Sequence, residues 1–187
     1  MLVYSLLCVA LATGNALFWL HKWHKQGVEL CFADTMMTGV QPSFLLMLLI
    51  PQTLGLVHQL KFILEQPFVI CALDNRARLA RNLLAALLFI AFRAVMAVSI
   101  PSIALGALLF RGSKPCTWES GASYYAYMTG QTLITPVKTG SLIVWQAMTI
   151  WLTVLLVSIL FLSINLSCES HQLGSILSWG VCLLALW

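Results

Sequence analysis

The chain has 187 residues, of which 60% are hydrophobic and only 9% carry a charge, and its formal net charge is +4. Its mean hydropathy of +0.92 lies far outside the range of soluble globular domains, so a water-soluble fold is excluded. A membrane-spanning helix needs roughly 20 mostly apolar residues, because the bilayer core offers the backbone no other hydrogen-bond partners. We therefore expect an all-α, polytopic integral membrane protein with five or six transmembrane helices in a single domain over residues 1–187.

The first predicted span covers residues 2–20 and ends in aromatic and basic residues that suit a membrane interface. The stretch has no basic start and no small-residue cleavage site, so it is interpreted as a retained helix and not as a cleaved signal peptide. The second predicted span covers residues 43–60. Pro42 lies in its first turn, and Pro51 and Gly55 predict a kink.

The third predicted span, residues 82–110, is unusually long. A helix of this length extends about 43 Å, whereas the bilayer core is roughly 30 Å thick, so the helix must tilt, bend at Pro101 or protrude. A loop rich in Gly, Ser, Thr and aromatic residues follows over 111–139, and the fourth span covers 140–166. The fifth apolar stretch, residues 173–187, is short for a crossing. It is expected to be re-entrant, to pack against a partner, or to be followed by a further segment.

Basic residues flanking the spans leave the membrane orientation open. With the N-terminus inside, the loop that carries Arg76, Arg78 and Arg81 is cytoplasmic, and the density of charge favours this choice. With the N-terminus outside, the larger number of basic residues is cytoplasmic. These are Lys22, Lys25, Arg111, Lys114 and Lys138.

The sequence lacks the residue sets that common catalytic sites require. It contains no GxxxxGK[ST] loop for nucleotide phosphates, no HExxH and no GxSxG, so we expect no enzyme activity and no cofactor in this chain. His21 and His24 lie three residues apart at a helix end, which suits a metal in principle. No third ligand is close in sequence, so an interfacial belt is favoured and no metal site is expected.

Two of the six cysteines are candidates for a disulfide. No CxxC pair occurs, which argues against a zinc or redox site. Cys31 and Cys116 fall in the first and third loops, which share one side of the membrane in either orientation. If that side is extracellular, these two cysteines can form a disulfide.

Arg93 is the clearest charge inside a predicted span. Charge is costly at this depth and usually faces a protein interior or a water-filled cavity. One interpretation is therefore a residue that lines a transport path or contacts a neighbouring subunit. The alternative is that the helix starts elsewhere and the side chain reaches the interface.

The most concentrated charge in the chain lies in "ALDNRARLARN", residues 72–82. Pro67 breaks the preceding segment, "FVICAL" supplies an apolar face, and Asp74 or Asn75 can cap a new helix whose first turns carry arginines. This pattern predicts a short amphipathic segment on the membrane surface. It serves either as a plain anchor or as a docking element for a soluble partner.

The order of these segments resembles the small membrane subunits of ABC-type exporters, particularly permeases associated with bacteriocin, lantibiotic or antimicrobial-peptide export and immunity. The residues that carry the resemblance are "SFLLMLLIPQTLGLVHQL" followed by "FVICALDNRARLARN". The resemblance implies that the second connection is cytoplasmic and contains a coupling segment that contacts the ATPase. It also implies that the N-terminus is inside and the loops of Cys31 and Cys116 are outside.

The same resemblance implies a function and a set of partners. The chain would be a multi-pass permease subunit of the cell membrane that moves an amphipathic peptide or lipid-like substrate. It would work with a second, identical or different permease subunit and with an ATP-binding cassette subunit that holds the ATP; no nucleic acid is expected. Arg93 would line the path or a subunit contact. The expected ATPase-docking residues are Phe68, Val69, Asp74, Asn75, Arg76 and Arg78.

A second hypothesis is a non-transporting subunit that anchors or assembles a larger membrane complex. Small size, the lack of catalytic residues and the aromatic loops fit this function equally well.

Overall fold

Apolar runs fold into helices in the computed structural model, which describes residues 2–64, 76–110, 118, 121–131, 138–167 and 180. No strand occurs among these residues, and their isolated β-bridge joins Glu29 and Ser123 in parallel. The prediction of an all-helical fold is confirmed for this part of the chain. The helices are α1 (Leu2–Lys25), α2 (Phe32–Thr38), α3 (Pro42–Phe44), α4 (Ile50–Leu64), α5 (Arg76–Leu109), α6 (Tyr124–Thr129) and α7 (Thr139–Ser167).

Three of the described helices are long and apolar enough to cross a membrane: Val3–Lys25, Ala80–Leu109 and Thr139–Ile164. Five or six spans are therefore not confirmed. Helix α1 continues beyond its predicted end at Leu20, and α5 starts at Arg76, six residues before its predicted start. The predicted span over 173–187 lies outside the described residues, apart from Gly180.

Helical residues cover the whole stretch predicted as the second span, 43–60, but they include a π-helical turn, and a separate short helix precedes them. Helix α2 ends at Thr38, three non-helical residues follow, and Pro42 opens α3, which passes through a π-helical turn at Leu45–Leu49 into α4. Pro51 explains the π turn, because its ring clashes with the carbonyl four residues earlier and it has no N–H to donate. The wider turn relieves that clash. By contrast, α5 continues through Pro101 without a break.

The described residues form two groups of packed elements. The first comprises the described residues within Met1–Leu45 and Val95–Ile150. Its core is aromatic where α1, α2, α6 and α7 meet, with Trp23, Trp118 and Tyr124 all buried. This group contains the candidate functional site.

The second group comprises the described residues within Leu46–Ala94 and Trp151–Trp187. Its core is formed by apolar side chains of α4, α5 and α7, and the hydroxyls of Thr53 and Ser158 bond to carbonyls four residues earlier, so neither is left unpaired. The single domain over residues 1–187 stays a prediction. The buried core residues are Ile50, Leu54, Val57, Leu87, Ile90, Val157, Phe161 and Leu162.

Candidate functional site

A buried carboxylate, Asp34, joins two segments that are 84 residues apart in sequence. It lies in the first turn of α2 and is 0% exposed. Its Oδ2 accepts a hydrogen bond from the backbone N–H of Cys31 at 2.7 Å, which satisfies a free donor at the start of α2. Its Oδ1 accepts one from the indole Nε1–H of Trp118 at 2.8 Å. We call this arrangement of Cys31, Asp34 and Trp118 the Asp34 clamp.

The carboxyl group of the clamp titrates close to neutral pH. Burial raises the pKa of Asp34 from 3.8 to about 6, because the desolvated carboxylate is penalised for its charge. The hydrogen bonds from Cys31 and Trp118 oppose this shift by stabilising the charged form. Burial also raises the pKa of Tyr124, so its hydroxyl stays neutral at physiological pH.

Cys31, the residue that precedes α2, is disulfide-bonded. Its predicted partner Cys116 lies outside the described residues, so that pairing stays a prediction. Disulfides persist in oxidising compartments, which agrees with a loop on the extracellular side. Cys8, by contrast, is buried in α1 and is not disulfide-bonded.

Aromatic rings in contact connect the clamp to the end of α1. The Trp118 and Tyr125 rings stack with centroids 5.6 Å apart, and the Trp23 and Tyr124 rings lie 4.3 Å apart. The short helix α6 that presents the tyrosines is bounded at both ends. The Ser123 hydroxyl accepts a hydrogen bond from the N–H of Ala126, and Gly130 takes a left-handed conformation with φ of 70°.

The rings of Trp23 and Tyr124 also line a pocket of about 530 Å³, which we call the aromatic groove. Its lining combines five aromatic rings and two methionines with a few polar groups. Residues 40–43, where the chain passes from α2 to α3, also line the groove. The lining residues are Trp19, Lys22, Trp23, Gln26, Met37, Val40, Gln41, Pro42, Ser43, Tyr124, Tyr127, Met128 and Trp145.

Lys22 is the charged member of the described residues that line the aromatic groove. Its Nζ lies 4.5 Å from the centroid of the Trp19 ring, within the range of a cation–π interaction. The tryptophan face therefore already holds a cation. Chemically, the groove offers a large apolar surface and one positive charge at the end of α1.

Helix α2 ends against three other helices. The Asn15 amide in α1 donates a hydrogen bond to the Thr38 carbonyl at 2.8 Å. A Cβ atom on Gly39 would collide with Nε2 of Gln146 and would lie 2.8 Å from Cγ1 of Val98. Gln146 is 0% exposed, and neither its Nε2 nor its Oε1 has a hydrogen-bond partner among the described residues.

Most of the predicted ATPase-docking residues fall outside the described residues: Phe68, Val69, Asp74 and Asn75. Arg76 is the first residue of α5, and its side chain also lies outside the described set. Arg78 is exposed in the first turn of that helix. The prediction of a docking segment is therefore neither supported nor contradicted by these residues.

Arg93 lies near the middle of α5 and is half-buried. Its guanidinium carbon is 5.7 Å from the centroid of the Phe89 ring, one helical turn away. Because α5 starts earlier than predicted, Arg93 lies even further from the helix start than the sequence suggested. Its predicted function at a path or subunit contact stays a prediction.

Sequence reasoning missed Asp34, Trp118 and Lys22 as parts of one site. The available signal was the pair of loop cysteines, because Asp34 follows Cys31 by three residues and Trp118 follows Cys116 by two. A predicted pairing of those loops would have brought the acid and the indole close together. Among the described residues, no group of three His, Cys, Asp or Glu side chains is placed to hold a metal ion.

No family model, curated protein or solved structure matches this chain.

Proposed function

We propose that the chain is a permease subunit of an ATP-driven exporter that moves an amphipathic peptide or lipid-like substrate across the cell membrane. The aromatic groove is the observation that carries this proposal. A pocket with five aromatic rings, two methionines and one lysine suits a ligand with a large apolar part and a small polar part. Such a ligand is amphipathic.

The three helices that are apolar and long enough to cross a membrane support the proposed location. Their presence is consistent with a multi-pass protein that forms part of a translocation path. ATP would be bound and hydrolysed by an ATP-binding cassette subunit, because the sequence has no phosphate-binding loop. A second permease subunit, identical or different, would complete the path.

The proposed contact with the ATPase lies at the start of α5 and in the segment before it. Arg78 is exposed there, and a cationic helix start is electrostatically unfavourable next to the helix dipole unless an acidic surface compensates for it. An acidic patch on a soluble partner would provide that compensation. Arg93 remains our candidate for a path or subunit contact in the same helix.

A charge-reversal experiment tests the proposal. Arg76→Glu together with Arg78→Glu should abolish co-purification of the ATPase and its stimulation, because both contacts become repulsive. The matched control is Lys25→Glu together with Lys138→Glu, which changes the net charge equally at two other exposed positions. This control should retain the ATPase.

Normal recovery of the ATPase with the double arginine variant would contradict the docking proposal. If the wild-type chain instead co-purifies with a membrane complex that contains no ATPase, the chain is an assembly or anchoring subunit.

A further inference from the structure

The position of the aromatic groove along α1 and α7 indicates the direction from which a ligand enters the groove. Lys22 lies in the last turn of α1, whereas Trp145 lies six residues into α7, about 9 Å from the start of that helix. The groove thus extends from a charged helix end toward the apolar part of the bundle. Both helices belong to the set that is apolar enough to cross a membrane.

The outer edge of the groove is open. Trp145 is 48% exposed, Tyr127 is 50% exposed and Met128 is 59% exposed. Trp145 lies within a helix that is able to cross a membrane, where an exposed apolar side chain meets acyl chains and not water. Therefore a molecule of the bilayer can reach the groove sideways, without leaving the apolar phase.

Charge decides which headgroup fits. Lys22 is the charged residue among the described lining residues, and it lies in the last turn of α1. A cationic ligand would face repulsion from Lys22, which already covers the Trp19 ring. An anionic headgroup would instead gain a charge-assisted hydrogen bond from the lysine ammonium.

From these observations we infer that the aromatic groove binds one anionic phospholipid of the surrounding bilayer. The phosphate meets Lys22 and Gln26, and an acyl chain lies along Met37, Val40 and Trp145. This assignment deepens the proposed function and rests on it, since it names the chemical class of a lipid-like substrate for the same groove. It also assigns Lys22 as the residue that selects the headgroup.

Binding is measured on the purified chain without any ATPase. Native mass spectrometry of detergent-solubilised protein titrated with phosphatidylglycerol or phosphatidylcholine gives the affinity for each lipid. We expect tighter binding of phosphatidylglycerol. Lys22→Gln should weaken it about fivefold, the factor expected for one lysine near an anionic lipid headgroup. Its binding of phosphatidylcholine should not change.

Three further variants separate the effects of charge, shape and folding. Lys25→Gln removes the same charge from an exposed residue outside the groove and should leave the affinity near that of the wild type. Lys22→Arg keeps the charge and should retain selectivity. Trp145→Ala removes apolar surface and should weaken the binding of both lipids alike.

The inference is overturned if Lys22→Gln and Lys25→Gln behave alike, or if phosphatidylcholine binds as tightly as phosphatidylglycerol. It is also overturned if a cationic amphipathic peptide displaces the lipid and binds more tightly than phosphatidylglycerol does. Because no ATPase is present, loss of lipid binding leaves the Arg76 and Arg78 experiment unaffected. A failure of that experiment likewise leaves the lipid affinity intact.

Discussion

At the residue scale, the protonation of Asp34 makes the stability of the loops that it joins depend on pH. Its carboxylate is 0% exposed and accepts hydrogen bonds from the backbone N–H of Cys31 and the indole N–H of Trp118. An alanine at position 34 would leave both donors without an acceptor. An unsatisfied buried donor costs about 1–3 kcal/mol. Asp34 therefore combines a costly buried charge with contacts that the clamp needs.

The free energy of unfolding should depend on the protonation of Asp34. The pKa of Asp34 is about 6 in the folded chain, against 3.8 for the free group, so the folded state binds the proton more tightly. The free energy of unfolding is therefore expected to rise by on the order of 3 kcal/mol as pH falls from 7 to 4. This gain is lost again as pH rises through 6. Asp34→Asn should remove this dependence, as seen in thermal unfolding in detergent between pH 4 and 8.

Glu29→Gln is the control for this experiment, since it removes an exposed carboxyl group from the same loop. It should keep the wild-type pH dependence. Tyr124 stays neutral throughout the range because its pKa is raised from 10.0. An equal pH dependence in the wild type and in Asp34→Asn would show that another group is responsible.

At the scale of elements, the end of α2 packs tightly against Gln146. Gly39→Ala should lower the free energy of unfolding by about 1–3 kcal/mol, because its Cβ would collide with the Gln146 amide and approach Val98. Chemical denaturation in detergent measures the change. Gly121→Ala is the matched control, since a Cβ at Gly121 meets no atom within 4 Å.

Gln146 itself provides a second measurement of the same contact. Gln146→Met keeps the approximate volume but removes two buried polar atoms that have no partner among the described residues, so stability should stay level or rise. Combining Gly39→Ala with Gln146→Ala should cost less than the sum of the two single changes, because the collision is relieved. Full additivity would mean that the two residues do not interact.

The sequence was informative about long elements and poor at predicting contacts between loops. Continuous apolar runs predicted the start of α1 and both ends of α7 to within one residue, because hydropathy is a strong signal for such helices. The start of a helix at Pro42 was predicted, but the short helix α2 before it was missed, because seven residues carry too little periodic signal. The bond between Asp34 and Trp118 was missed because a single polar residue in each loop carries no periodic signal.

At the scale of the whole molecule, the disulfide of Cys31 favours one of the two orientations that the basic residues left open. If the loop of Cys31 is extracellular and the predicted second span crosses the membrane, the N-terminus and the start of α5 are cytoplasmic. In intact cells, a membrane-impermeant maleimide should then label Gly121→Cys, an exposed and sterically open position near the clamp. The same reagent should label Arg78→Cys only after the cells are permeabilised.

The wild-type chain, measured in parallel, gives the background labelling of the native cysteines. Labelling of Arg78→Cys in intact cells would reverse the orientation and place the proposed ATPase contact on the wrong side of the membrane. Labelling of both positions in intact cells would mean that α5 does not cross the bilayer.

The clamp also sets an order of events during synthesis. Asp34 emerges from the ribosome 84 residues before Trp118, and the predicted second span and the membrane-crossing helix α5 lie between them. Asp34 therefore lacks the hydrogen bond from Trp118 until the intervening segments have been synthesised and inserted. Trp118 can reach it only if both loops arrive on the same side of the membrane. The hydrogen bond between Trp118 and Asp34 can thus form only in a chain whose first half has been inserted correctly. Its formation is therefore a marker of correct insertion.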